Sequence, residues 1–239
     1  MRNKNIKFVC LMYHEIAYPH KHKFYVTPDN FRMQMEYIQK NGFKAIDLKN
    51  GLKGDVLITF DDGHKSNLEA ARILSDLGLK GVFYLVKDFS LNKPDYLKEE
   101  DIKKISDLGH TIGVHGKDHN WWTNKSTQGL IDEIAETIQW IESLTGEKVI
   151  TCSPPGGRML SKEFLTIKRN FPYLKYIRNS VCYYSTDTGK MINSMPMTIN
   201  MQMDEFKKVM KLDLLYYKKA LFVYHLKEFA KRIIYKIKR

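Results

Sequence analysis

Short β-rich runs alternate along this chain with segments of helical periodicity, and that alternation leaves few folds open. Strand, helix and strand in succession build a mainly parallel sheet with helices packed on its outside. The strand-like runs are 6–13, 55–60, 81–86, 110–114, 148–152 and 175–181. Between the first two, Phe31, Met35 and Ile38 share a helical face behind Thr27 and Pro28, which read as N-cap and first-turn proline, and Gly42 stands past the end. Leu68, Ala71, Leu74 and Leu77 repeat with the same period up to Gly78, and Leu130, Ile134, Ile138, Ile141 and Leu144 do so over 126–145. Shorter helices are expected at 101–108 and near 161–169. With 239 residues and no internal repeat, the pattern predicts a single distorted (β/α) barrel of about seven strands, over 1–203, followed by a helical tail over 204–239. No apolar run approaches the ~18 residues that a membrane span needs.

The net charge of +12 is uneven. Residues 207–239 hold eleven Lys or Arg against Asp213 and Glu228, so that segment is +9 and residues 1–206 carry only +3. Phe222, Leu226, Phe229, Ile233 and Ile237 recur at helical spacing there, with Lys227, Lys231, Arg232, Lys236 and Lys238 on another face. A basic amphipathic helix suits an anionic membrane surface, and equally a terminal helix docked on the barrel with a solvated basic face. No nucleic-acid-binding motif accompanies the charge. Cys10, Cys152 and Cys182 form neither a Cys-x-x-Cys nor a disulfide framework, and the start of the chain shows no export signal. The expectation is a cytoplasmic protein that can associate with membrane.

In a parallel α/β fold, reactive groups collect in the loops after the carboxyl ends of the strands. Four polar clusters fall there: Leu11-Met-Tyr-His14, Thr59-Phe-Asp-Asp-Gly63, Val114-His-Gly-Lys-Asp-His119 and Cys152-Ser-Pro-Pro-Gly-Gly-Arg158. Asp61 and Asp62 repel each other unless a cation sits beside them, although an Asp-Gly turn capping a helix also accounts for the pair. His115 and His119 can converge on one ion from a loop, or be two solvated histidines. Taken together, two imidazoles and a carboxylate form a common ligand set for a catalytic divalent ion with open positions. A second carboxylate as base and a further histidine as acid complete a metal-assisted hydrolase.

Thr59-Phe-Asp-Asp-Gly63 followed by His115-x-x-x-His119 resembles the polysaccharide deacetylase (NodB homology, carbohydrate esterase family 4) superfamily over roughly residues 6–200. Leu11-Met-Tyr-His14 resembles the Leu-x-x-His motif, carried early in the circularly permuted branch that includes poly-N-acetylglucosamine deacetylases. Phe222-Val-Tyr-His225 is the late alternative. The resemblance implies Asp61 as general base, His14 as general acid, and Asp62, His115 and His119 as ligands of one divalent ion, zinc foremost, with nickel, cobalt, iron or manganese as alternatives. It also implies an oxyanion donor near Gly156 and Gly157. Where the family has Arg-Pro-Pro this chain has Ser153-Pro-Pro, so the arginine that orients the base is absent from its motif, and Arg158 is the substitute at hand. Trp121, with Trp122, is the expected sugar-stacking surface. Tyr183, Tyr184 and Asp187 lie where a further family motif would fall and carry no assignment.

The expected activity is hydrolysis of N-acetyl groups on a polysaccharide or glycan precursor. The alternatives are an O-acetyl esterase, an amidohydrolase on a non-sugar amide, or a degenerate member that binds glycan or membrane without turnover.

Overall fold

The computed structural model describes residues 6–18 and 23–237, with 231–237 described in backbone only. The side chains of Lys231, Arg232, Ile233, Lys236 and Ile237, and all of Lys238, therefore lie outside the description. The strands are β1 (Lys7–Tyr13), β2 (Glu15–Ile16), β3 (Tyr25–Val26), β4 (Val56–Phe60), β5 (Gly81–Leu85), β6 (Thr111–Val114), β7 (Thr151–Cys152), β8 (Tyr176–Ile177), β9 (Ser185–Thr186) and β10 (Met195–Pro196). The helices are α1 (Pro28–Lys40), α2 (Asn67–Asp76), α3 (Lys87–Asn92), α4 (Glu99–Asp107), α5 (Thr127–Thr145), α6 (Ser161–Asn170), α7 (Met203–Met210) and α8 (Leu214–Ile237).

Seven strands follow one another in the order β10-β1-β4-β5-β6-β7-β8, each pair parallel, and β9 joins β1 antiparallel. The sheet curls into a half-barrel. Arg178, just past β8, bridges Ile192 in the segment leading to β10, and the Asn179 N–H donates to the Ile192 carbonyl, which draws the two sheet edges together. The expected α/β barrel of about seven strands is what the chain forms.

Period-2 alternation along the strands sorts the core into two layers. Val9, Leu11, Tyr13, Ile58, Phe60, Phe83, Leu85, Ile112 and Val114 join the larger cluster beneath the helices. Phe8, Cys10, Leu57, Val82 and Tyr84 form a smaller cluster inside the curl. The longer helices α1, α2 and α5 each bury one stripe against the outer layer. In α1 that stripe is Phe31, Gln34, Met35 and Ile38, and the Thr27 hydroxyl caps the helix by accepting from the Asn30 N–H, as the sequence predicts.

The C-terminal segment is not one uninterrupted helix. Leu212 takes a left-handed conformation (φ 55°), and the Asp213 carboxylate restarts the helix by accepting from the Leu215 and Tyr216 amides. Phe206, Val209 and Met210 of α7 and Tyr217 of α8 sit in the same buried cluster as the barrel residues. No described helix is long and apolar enough to cross a membrane.

Candidate metal centre and active site

The inner layer of the curl has one more tier at its carboxyl end. Counting by two from Cys10 gives Met12 and His14. From Leu57 the same count gives Thr59 and Asp61, and from Thr111 it gives Gly113 and His115. Ser153 and Arg178 take the equivalent places after β7 and β8. The pleat alone therefore aims His14, Asp61, His115, Ser153 and Arg178 towards one mouth. Two backbone departures bring in the rest: Asp62 at φ 70° and His119 at φ 61° are both left-handed, a conformation uncommon outside glycine that Asp and His adopt more readily than most.

Asp62, His115 and His119 offer ligand atoms that all lie within 4.8 Å of one another. The Asp62 Oδ1 stands 3.2 Å from Nε2 of His115 and 3.1 Å from Nε2 of His119. The tautomer of His115 is set from behind. Its Nδ1 lies 2.8 Å from the Ser153 carbonyl, which can only accept, so Nδ1 carries a proton and Nε2 is the nitrogen turned to Asp62. Two imidazole nitrogens turned to one carboxylate oxygen are a donor set that a divalent ion fits, taking the place of the protons they otherwise share with it. Burial opposes charge on Asp62, yet the two imidazoles outweigh it and hold its carboxyl well below the usual carboxylate range. For His115, burial works against protonation, and Asp61 with Asp62 more than offsets it, raising the pKa above the ordinary histidine value.

Asp61 is 4% exposed and does not share that cluster's task. Nη2 of Arg178 lies 2.5 Å from both of its carboxylate oxygens, and His115 Nε2 is 3.9 Å from Oδ2. Arg178 is fully buried. Its Nη1 donates to Ser194 Oγ (3.0 Å) and touches Met12 Sδ, its Nη2 also reaches Ser153 Oγ (2.5 Å), and its guanidinium lies 5.1 Å from the centre of the Tyr84 ring. Burial disfavours charge on the guanidinium, but Asp61 reverses that and raises its pKa.

The orienting arginine is thus Arg178, and the expectation for Arg158 is corrected. Arg158 sits over Trp121 at 5.6 Å, in a groove formed by Trp121, Gly156, Gly157, Ser180, Tyr224 and Glu228, away from Asp61. The replacement follows from strand register. Cys152 pairs with Ile177, so Ser153 and Arg178 are neighbours across adjacent parallel strands. A serine where the family carries arginine leaves room that an arginine on the next strand fills. The signal in the sequence is a charged residue at the inward position of a buried strand, Tyr-Ile-Arg-Asn at 176–179.

His14 is half-buried at the end of β1, beside β4. Its backbone carbonyl accepts from Asn67 Nδ2 (2.7 Å), and its ring lies 5.2 Å from that of Phe24. His225 lies on the exposed side of α8. In the turn after β7, Gly156 and Gly157 are left-handed at φ 65° and 67°, and the Gly157 N–H donates to the Pro154 carbonyl. Gly156 is the exposed residue of the pair. Trp121 is half-buried at the groove, whereas Trp122 is wholly buried and donates from Nε1 to Glu133. Tyr183 and Tyr184 stack on each other and pack edge-on against Tyr217.

The family model for polysaccharide deacetylases matches residues 49–175, which include Asp61, Asp62, His115 and His119 but neither His14 nor Arg178. The protein YxkH of Bacillus subtilis is 27% identical over 166 residues, 65% of this chain and 58% of that one. The peptidoglycan-N-acetylmuramic acid deacetylase PdaA of the same organism is 26% identical over 133 residues, 54% of this chain and 48% of its own length. The chain therefore spans about half the length of these relatives. The solved structure of the Streptococcus pyogenes deacetylase PplD in complex with acetate superposes with a TM-score of 0.79 at 18% identity, covering 87% of this chain and 99% of that one, a likeness of fold. With the match covering more than half of its residues, the chain belongs to the polysaccharide deacetylase family.

Proposed function

We propose that the protein is a metal-dependent hydrolase that removes N-acetyl groups from a carbohydrate. The observation that carries the reading is the convergence of Asp62, His115 and His119 on one point beside an Asp61 held by its own guanidinium. Those three residues would hold one divalent ion, zinc by preference, whose contribution is Lewis acidity towards water and the amide carbonyl.

The chain's own groups supply the rest. Asp61 is acceptor-only when ionised, and Arg178 occupies both of its oxygens on one side, so it is positioned to take a proton from the attacking water. Arg178 fixes that buried carboxylate in direction. His14, reaching the mouth from β1, protonates the departing amine as an imidazolium. The turn at Gly156 presents backbone N–H to the oxyanion that develops on the acyl oxygen. Trp121 offers a ring face at the rim against which a sugar can stack.

PdaA is named for acting on an N-acetylated amino sugar, which supports the same substrate class here. A non-catalytic binder has little support, because the arginine missing from its motif is supplied by Arg178. The basic segment gives the enzyme a second partner class, an anionic membrane, beside its N-acetylated glycan.

The test measures metal content and acetate release from N-acetylated oligosaccharides. One divalent ion per chain and measurable release are expected. Asp61→Asn should abolish turnover with the metal retained, and Asp62→Ala should lose the metal. An active Asp61→Asn enzyme would remove Asp61 as the base.

A further inference from the structure

Among its described side chains, up to Ala230, helix α8 is docked by one side only. Tyr217 is fully buried, and Tyr224 and Glu228 line the groove with Trp121, Gly156, Gly157, Arg158 and Ser180. The opposite side carries Leu215, Phe222, Leu226 and Phe229, spaced seven, four and three residues apart so that they share one face. They are 79%, 65%, 52% and 63% exposed. Lys218 and Lys219, both exposed, stand along the flanks of this stripe. The two acids of the segment are turned away from it: Asp213 caps the start of the helix, and Glu228 faces the groove. An apolar stripe with bases beside it and acids withdrawn is sorted by charge as well as by hydropathy.

We infer that this face of α8 docks on an anionic lipid bilayer, with Phe222, Leu226 and Phe229 entering the interfacial region and the flanking lysines meeting the headgroups. A second copy of the chain fits the stripe poorly, because it would bring two segments of charge +9 together. Nucleic acid offers phosphates to the lysines but no apolar phase to four large side chains. Because the inner side of the same helix lines the groove of Trp121 and Gly156, docking holds that groove about one helix diameter, ~10 Å, from the bilayer. The enzyme then works on glycan presented at a membrane surface. The inference deepens the membrane half of the proposed function and does not depend on the hydrolytic half.

The experiment is co-sedimentation of the full chain with vesicles of phosphatidylcholine alone or mixed with phosphatidylglycerol, at low and high salt. The wild type is compared with the double variant Phe222→Glu/Phe229→Glu. Both positions are exposed and outside the catalytic groups, so circular dichroism, metal content and hydrolysis of a soluble substrate should not change. Expected are binding to the anionic vesicles, weakening with salt, and at least a tenfold loss in the variant. Absence of binding to anionic vesicles, or equal binding by the two proteins, overturns the inference. So does a dimer in sedimentation equilibrium that the variant abolishes while vesicle binding persists. Vesicle binding without acetate release sinks only the hydrolase reading, and acetate release without vesicle binding sinks only the docking.

Discussion

Arg178 has the most consequential single position in the molecule. A fully buried guanidinium and a nearly buried carboxylate are each costly alone, and each makes the other tolerable. Removing one partner leaves the other uncompensated, so Arg178→Met should cost about 3–5 kcal/mol of stability, read as a loss in the urea midpoint. The chemical effect is separable. Without the fork, nothing holds the Asp61 carboxylate in one direction, and kcat should be lower by roughly a hundredfold at neutrality. Arg178→Lys keeps the charge but not the fork that spans Asp61, Ser153 and Ser194, and should fall between wild type and Arg178→Met. An unchanged kcat in Arg178→Met would show that the guanidinium does not position the carboxylate.

At the scale of elements, the loop after β6 carries both imidazoles of the proposed ligand set and is braced by α5. Oε1 of Glu133, from that helix, accepts from the Lys117 N–H (3.1 Å) and from Trp122 Nε1 (3.2 Å), while Lys125 pairs with its other oxygen. A buried acid that ties down this loop would be an outer support of the proposed metal site. Glu133→Ala should weaken metal affinity by roughly 10–100-fold, read by competition with a chelating dye. The turn after β7 is constrained differently. A Cβ at Gly157 would stand 2.0 Å from Ser180 Oγ on a left-handed backbone, so Gly157→Ala must displace either the turn or Ser180. A stability loss of about 1–3 kcal/mol with a larger fall in kcat is expected, and intact activity would detach this turn from the reaction.

The sequence made these elements legible to different degrees. The strands at 7–13, 56–60 and 81–85 are apolar runs between clear helix signals, and they stand almost where the pattern puts them. The runs at 148–152 and 175–181 shrink to two residues each, because at that side of the curl only Thr151–Cys152 and Tyr176–Ile177 keep ladder bonds. Asp62, His115 and His119 were readable because residues of one chemistry stand at the ends of strands. Arg178 was not, because its role depends on a register between β7 and β8 that no local pattern records.

At the scale of the whole molecule, stability should depend on one histidine remote from the site. His110 is 1% exposed. Its Nδ1 accepts from the Gly81 N–H (3.2 Å), and its Nε2 donates to the Ala71 carbonyl (2.9 Å), a pairing that only the neutral ring satisfies. Burial lowers its pKa from 6.5 to about 4, against a smaller opposing effect of the Ala71 carbonyl. The folded state therefore binds fewer protons than the unfolded chain between those two values, and stability must fall as pH drops through that window. The unfolded ring begins to take up its proton near pH 6.5, and the loss is complete only near pH 4, at a total on the order of 3 kcal/mol. Because Gly81 opens β5, protonation removes the acceptor of a buried N–H at the start of a central strand while the bond to Ala71 of α2 is kept, so the penalty belongs to global unfolding. His110→Gln replaces the ring with an amide that can still accept and donate but does not titrate. Urea unfolding of wild type and variant at pH 7 and pH 4.5 isolates the contribution, since the acid groups common to both cancel. The difference between the two proteins should narrow by about 2–3 kcal/mol on acidification, and parallel pH dependences would show that His110 does not govern it.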